Sequence, residues 1–238
     1  MNRVIAALPL ELQGAIEFLT VPETRKSWGG PFNGQLRRSD QVREIFEAIK
    51  PDAVFETGTY RATSTLALAA LSDAPLYTME QSAKQWGYSR TRLLLHRGVT
   101  LLRGDSRVHL KRLCEQLHRT KRAPFFYLDA HWEEDLPLAQ ELEIIYSFPW
   151  QATVMVDDFK VEGDPGYAYD DYGPGKVLDL GYVKGTVERH ALQVFFPSAP
   201  SGEETGAKRG CLVLARKGAV ADKLDSLASM RKHQVEPA

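Results

Sequence analysis

The sequence predicts an α/β protein built on one doubly wound sheet, mostly parallel, with an antiparallel last strand and helices on both faces. Three observations carry that expectation. Five short apolar runs each close on an acid, at Glu56, Glu80, Asp105, Asp129 and Asp157, and the steps of 24, 25, 24 and 28 residues each hold a strand, a turn and a helix. The segments between them repeat apolar residues at helical spacing. The last two apolar runs are joined by a link too short and too rich in Gly and Ser for a crossover helix, so they pair antiparallel.

Before the first run, Pro9 to Leu19 reads as an amphipathic helix. Val4 to Leu10 is apolar enough to suggest a secretion signal, but Glu11, Gln13 and Glu17 interrupt it and no small-residue cleavage site follows. Ser39-Asp40 followed by Val42, Ile45, Phe46 and Ile49 reads as a capped helix ending at Pro51. Residues 1–50 thus form a helical N-terminal cap, and 51–238 the main domain. The strand runs are Ala53–Glu56, Leu76–Glu80, Val99–Asp105, Pro124–Asp129 and Ala152–Asp158. The helical segments are Ala62–Leu71, Ser82–His96 with Trp86 and Leu93 to Leu95, Ser106–Arg119 with Val108, Leu110, Leu113, Cys114 and Leu117 on one face, and Leu136–Phe148. Val161 to Gly185 is irregular and rich in Gly, Tyr and acids, which marks a lid insertion at about 160–190. Ala191–Phe196 and Cys211–Ala215 form the closing hairpin, and Gly218–Lys232 reads as a terminal surface helix. Strands alternating with helices give a Rossmann-like sheet covered on both faces.

Hydrophobic residues make up 43% of the chain and charged residues 26%, which excludes a disordered protein. Lys plus Arg is 30 and Asp plus Glu is 31, a net charge of −1 with no basic excess to suggest nucleic acid as a partner. No apolar stretch is long enough to span a bilayer, so no membrane partner is expected. Cys114 and Cys211 can build neither a disulfide framework nor a zinc site on their own and read as reduced thiols of a cytoplasmic protein.

Ligands of open α/β sheets bind beyond the carboxyl ends of the strands. The first turn there is Glu56-Thr57-Gly58-Thr59-Tyr60-Arg61-Ala62-Thr63-Ser64. Gly58 permits a close backbone approach, and the following helix start, with the hydroxyls of Thr63 and Ser64, favours a carboxylate or phosphate. The register Gly-x-Gly-x-x-Gly of nicotinamide-binding turns is absent, which counts against a nucleotide-dependent oxidoreductase. Glu80 suits a ribose diol, and Asp105-Ser106 an adenine amine. A nucleoside with a carboxylate tail and no pyrophosphate fits these positions better than a dinucleotide. Asp129-Ala130-His131-Trp132 and Asp157-Asp158-Phe159 close the fourth and fifth strands. If those strands are neighbours, three carboxylates converge, and all-oxygen ligation of that kind suits Mg²⁺, Mn²⁺ or Ca²⁺. His131, at the rim, has the near-neutral titration of a general base.

This arrangement resembles the class I S-adenosylmethionine-dependent methyltransferases. Leu128-Asp129-Ala130-His131-Trp132 and Val156-Asp157-Asp158-Phe159 resemble, within that class, the metal-dependent macrocin O-methyltransferase and cephalosporin-hydroxylase type group. The resemblance implies that Glu56, Gly58, Thr59 and Ser64 surround the methionine part of S-adenosylmethionine, with Glu80 on the ribose and Asp105 and Ser106 at the adenine end. It implies Mg²⁺ or Mn²⁺ on Asp129, Asp157 and Asp158, and His131 as the base. The implied reaction is O-methylation of a small hydroxylated acceptor, a sugar diol or a polyphenol, under a lid bearing Tyr167, Tyr169 and Tyr172. A homo-oligomer is compatible with this reading, as is a methyltransferase-like binding domain without catalysis.

Overall fold

The computed structural model describes residues 3–131 and 135–234. Trp132, part of the motif after the fourth strand, lies outside them. The N-terminal region comprises α1 (Arg3–Ala6), α2 (Leu10–Thr20) and α3 (Leu36–Ile49), with 3₁₀ turns at Pro22–Gly29 and Pro31–Gly34. The chain continues with β1 (Val54–Thr57), α4 (Thr63–Ala70), β2 (Leu76–Glu80), α5 (Ala83–Arg92), β3 (Val99–Arg103), α6 (Ser106–Leu117), β4 (Phe125–Leu128), α7 (Leu138–Tyr146) and β5 (Thr153–Asp157). It finishes with α8 (Leu180–Arg189), β6 (Leu192–Pro197), β7 (Cys211–Arg216), α9 (Ala219–Asp225) and β8 (Met230–Lys232).

One sheet contains all eight strands in the order β3-β2-β1-β4-β5-β7-β6-β8. The first five strands are parallel to one another, whereas β7 lies antiparallel between β5 and β6. The chain runs outward from β1 to β3 and returns as β4 on the other side of β1. The switch point therefore falls between β1 and β4, whose carboxyl ends carry Thr57 and Leu128 in register. An apolar cluster covers each face of the sheet, one around Phe55, Phe126 and Trp150 and the other around Phe46, Phe125 and Met155. The Phe55 and Phe126 rings stack at 4.6 Å.

Several local expectations are corrected by tertiary structure. Residues 230–232 form strand β8 on β6 rather than extending the last helix, because Met230 is 6% exposed and finds an apolar seat there. α3 begins at Leu36, not at a Ser39 cap, and the Ser39 hydroxyl donates back to the Gln35 carbonyl at 2.8 Å. Its open amides are met from far along the chain: Thr205 Oγ1 accepts from Leu36, and the Glu204 carboxylate accepts from Arg37 and Arg38, all at 3.0 Å. β3 is an edge strand and only partly buried. α5 stops at Arg92, which leaves Leu94 and Leu95 76% and 87% exposed, and Val108 on α6 is 65% exposed.

α3 also carries a charge into the interior. Arg38, 2% exposed, forms an ion pair with Asp157 at the end of β5, and donates a second bond to the Arg209 carbonyl at 2.8 Å. Tyr127 donates to the same carboxylate, and Asn33 Nδ2 reaches it at 3.3 Å. Burial alone would raise the Asp157 carboxyl, but Arg38 overrides it and holds the group below the usual carboxylate range. Arg38→Met strands that carboxylate in the core. It is expected to lower stability by about 3–5 kcal/mol in urea unfolding, and the added change Asp157→Asn to recover much of the loss. Additive losses in the double variant would show that the pair is not coupled.

Candidate active site

The first turn is pressed against the end of β4. Gly58 has φ +84°, and a Cβ there would lie 2.2 Å from the Asp129 carbonyl oxygen. The close approach that demands glycine is thus made to a neighbouring strand. The Gly58 and Thr59 amides donate to the Met79 carbonyl at 3.0 and 3.1 Å. Glu56 is 1% exposed, and its Oε2 accepts from Thr65 at 2.5 Å and Thr78 at 2.6 Å. Burial pushes its carboxyl up to about 7. Thr59 shares a 2.5 Å hydroxyl contact with Thr78. α4 follows Ala62, which is left-handed at φ 57°, and no side chain caps its first amides. The Ser64 hydroxyl accepts from the Phe32 amide at 3.1 Å. Between this turn and the 3₁₀ turns lies a small cleft of about 50 Å³, lined by Trp28 and Asn33, by Gly58 and Ser64, and by Asp129.

Glu80, Asp105 and Ser106 stand at the next strand ends and do not line that cleft. Glu80 braces the first turn, accepting from the Tyr60 and Ser82 amides at 2.7 Å each, and burial raises its carboxyl. Asp105 caps α6 through the Arg107 amide at 2.9 Å and pairs with the Arg107 guanidinium at 2.7 Å, which keeps it below the usual range. Ser106 donates to Glu141 at 2.5 Å. Glu141 is fully buried on α7, and burial pushes it up to about 7. Its signal in the sequence is an acid inside the apolar stripe of Leu138, Leu142 and Ile145.

β4 and β5 are neighbours, and their ends do converge. A ring nitrogen of His131 and one carboxylate oxygen each of Asp129 and Asp158 lie within 4.8 Å of one another. Asp157 stands beside them with its carboxylate engaged by Arg38, Tyr127 and Asn33. Asp158 takes the left-handed conformation, φ 54°, which turns it out of the strand's alternation onto the same side as Asp129. It accepts from Arg209 Nε at 2.6 Å, and Arg209 also pairs with Asp170. Burial, then repulsion from Asp157, pushes Asp158 up to about 7. Asp129 is raised well above its usual value by burial and by Asp157 and Asp158. Burial pulls the His131 pKa down, so the ring is neutral at pH 7. Its Nε2 lies 3.2 Å from the Asp157 carbonyl oxygen, and among the described residues its Nδ1 has no hydrogen-bond partner. Two crowded carboxylates and an imidazole whose Nε2 stands 4.0 Å from Asp129 are a donor set that fits a divalent cation.

The segment from Val161 to Asp179 is irregular and flanks this cluster, since the Asp170 amide donates to the Asp158 carbonyl at 2.9 Å. The end of the expected lid insertion is instead helix α8, which begins at Leu180. Tyr167 is 2% exposed and bonded to the Ala199 carbonyl, Tyr172 donates to Asp170 at 2.5 Å, and Tyr169 lies under Lys160.

No family model and no curated protein sequence matches the chain. Solved structures do. One is a protein of Klebsiella pneumoniae provisionally described as an O-methyltransferase, 17% identical, with 91% of this chain and 96% of that one aligned and a TM-score of 0.55. Another is the O-methyltransferase TomG of Streptomyces achromogenes, involved in tomaymycin synthesis and solved with S-adenosylmethionine, 17% identical over 92% of this chain and 91% of that one, TM-score 0.50. The methyltransferase domain of the bacterial protein CtHen1 aligns with 75% of this chain and 97% of its own at 15% identity, TM-score 0.53. The chain has the Rossmann-like fold of the S-adenosylmethionine-dependent methyltransferases.

Proposed function

We propose that this protein is an S-adenosylmethionine-dependent O-methyltransferase for a small hydroxylated acceptor, a sugar diol or a polyphenol, assisted by a divalent cation, Mg²⁺ or Mn²⁺. The observation that carries this reading is the position of Asp129. It lines the cleft beside Gly58 and Ser64, and it also belongs to the cluster with His131 and Asp158. A donor held at the first turn and an acceptor oxygen held at the cluster would share that wall.

S-adenosylmethionine supplies an electrophilic methyl group, and a divalent cation lowers the pKa of a coordinated hydroxyl. The chain's own groups do the rest. Glu56, Gly58, Thr59 and Ser64 wall the methionine side. Glu80, with lone pairs left beyond its two amide contacts, is the group for the ribose, and Asp105 and Ser106 are those for the adenine end. Asp129 and Asp158 would hold the cation, with Asp157 fixing the end of β5 through Arg38. In the tautomer that leaves Nε2 of His131 unprotonated, this nitrogen, which faces Asp129 at 4.0 Å, carries the lone pair that a base or a ligand needs. Alignment of donor and acceptor accounts for most of the rate in a displacement of this kind.

S-adenosylhomocysteine is expected to raise the melting temperature and NADH to leave it unchanged. Glu80→Ala is expected to weaken S-adenosylhomocysteine binding in calorimetry by about 1–3 kcal/mol; unchanged affinity refutes the ribose role. Methyl transfer to catechol as a probe acceptor should stop in EDTA and return with Mg²⁺ or Mn²⁺, and full activity in excess chelator excludes the metal.

A pH dependence follows from the crowded acids. Their folded pKa values are raised, Asp158 to about 7 and Asp129 well above its usual value, so both give up protons only at a higher pH than free carboxylates do. A cation must displace those protons, and its affinity therefore rises with pH. Mn²⁺ titrations followed by electron paramagnetic resonance should show weak binding near pH 5.5 and tight binding near pH 8, with Asp129→Asn losing it at both. A flat profile would place the metal elsewhere.

A further inference from the structure

Charge is distributed unevenly along this nearly neutral chain. Residues 83–122 hold eleven of its 30 Lys and Arg but only two of its 31 Asp and Glu, Asp105 and Glu115. Part of this excess gathers at the amino-terminal edge of the sheet, opposite the candidate active site. The turn after α5 leads into β3, and the Leu76 amide bonds to the Gly98 carbonyl, which places that turn beside the start of β2. Leu93 is buried, but Leu94 and Leu95 stand 76% and 87% exposed, followed by exposed Arg97. Three strands across the same edge, roughly 14 Å away by strand spacing, the approach to β4 exposes Arg119 and Arg122 and half-exposes Lys121. None of these four cations is in an ion pair among the described residues. Acids of this edge include Asp52, which accepts the Arg122 and Ala123 amides at 2.5 and 3.3 Å, the exposed Asp73 before β2, and the exposed Glu115 on the last turn of α6. Exposed Lys50 adds a further cation.

Two aliphatic side chains held out in water beside unpaired cations match one chemistry, the anionic face of a lipid bilayer, which takes apolar groups at its headgroup boundary and cations at its phosphates. We propose that the amino-terminal edge of the sheet docks this protein on anionic lipid, with Leu94 and Leu95 inserted and Arg97, Arg119, Lys121 and Arg122 facing the phosphates. The exposed apolar groups are leucines, whereas single-stranded nucleic acid is held by stacking its bases on aromatic rings. A second copy is disfavoured because a two-fold contact through this patch sets like charges against each other. The proposal is independent of the methyl-transfer reading. It would leave the carboxyl edge of the sheet, with its cleft and acid cluster, turned toward water.

The test uses the full chain and sedimentation with phosphatidylcholine vesicles with and without phosphatidylglycerol. Binding is expected only to the anionic vesicles and is expected to fall steeply between about 0.1 and 0.5 M salt as the charges are screened. Leu94→Ser with Leu95→Ser, and separately Arg97→Glu with Arg122→Glu, should each weaken it at least about tenfold. All four side chains are exposed, so circular dichroism and melting temperature should match the parent. Absence of anionic-vesicle binding overturns the proposal. So does binding that survives both double variants, binding to a single-stranded RNA oligomer in place of vesicles, or a solution dimer that the leucine variant dissolves.

Discussion

Arg38 brings a full positive charge into the protein interior, and Asp157 is what allows it to stay there. The pair is made between the N-terminal cap and the last parallel strand, so it joins two regions distant in sequence. It also decides how the sheet edge is used. Four acids, Glu56, Asp129, Asp157 and Asp158, arrive within one or two residues of the ends of β1, β4 and β5. Parallel pairing sets those ends about 4.8 Å apart, a spacing at which carboxylates in a poor dielectric cannot all stay charged. Arg38 settles one of them and lowers it. The others rise: Glu56 and Asp158 to about 7, and Asp129 well above its usual value. A group of acids held partly protonated and beside a neutral histidine is a place ready to exchange protons for a cation.

The N-terminal cap depends on the same end of the molecule. Glu204 and Thr205, between β6 and β7, satisfy the first amides of α3 and so fix the angle from which Arg38 enters. Gln35 donates to the Arg209 carbonyl at 2.9 Å and accepts from the Arg209 amide at 2.8 Å, and the Arg209 side chain closes on Asp158 and Asp170. One line of polar contacts therefore runs from the cap through the strand ends to the segment beyond β5. Disturbing it anywhere should be felt at the acid cluster.

The alternation of strand and helix was legible because it is local: apolar runs, acids at their ends and helical stripes are all properties of short windows. What escaped the sequence was set by distance along the chain. Ser39 looked like a cap, yet the true cap of α3 is a carboxylate 166 and 167 residues away. Met230 looked helical until the exposed edge of β6 offered it a ladder. At the site, the convergence of Asp129 and Asp158 followed from neighbouring strands, but the fate of Asp157 did not, since nothing near it in sequence announces Arg38. Asn33, Arg209 and Asp170 were missed for the same reason. Glu141 was within reach, because an acid in the apolar stripe of a helix signals a buried partner.

A net charge of −1 describes neither edge of the sheet. The carboxyl edge gathers acids because parallel strands end there and function places ligands there. The amino edge gathers cations on the turns that feed β3 and β4. Strands of four or five residues separate the two by about 13–17 Å. At that separation the Coulomb attraction is only about a quarter of what a cation about 4 Å away supplies. The cationic edge therefore does not relieve the acids, which must find compensation locally, in Arg38, Arg209, protons or a cation. By the same reasoning the acids do not cancel the cationic edge, and an anionic surface approaching it meets nearly its whole local charge.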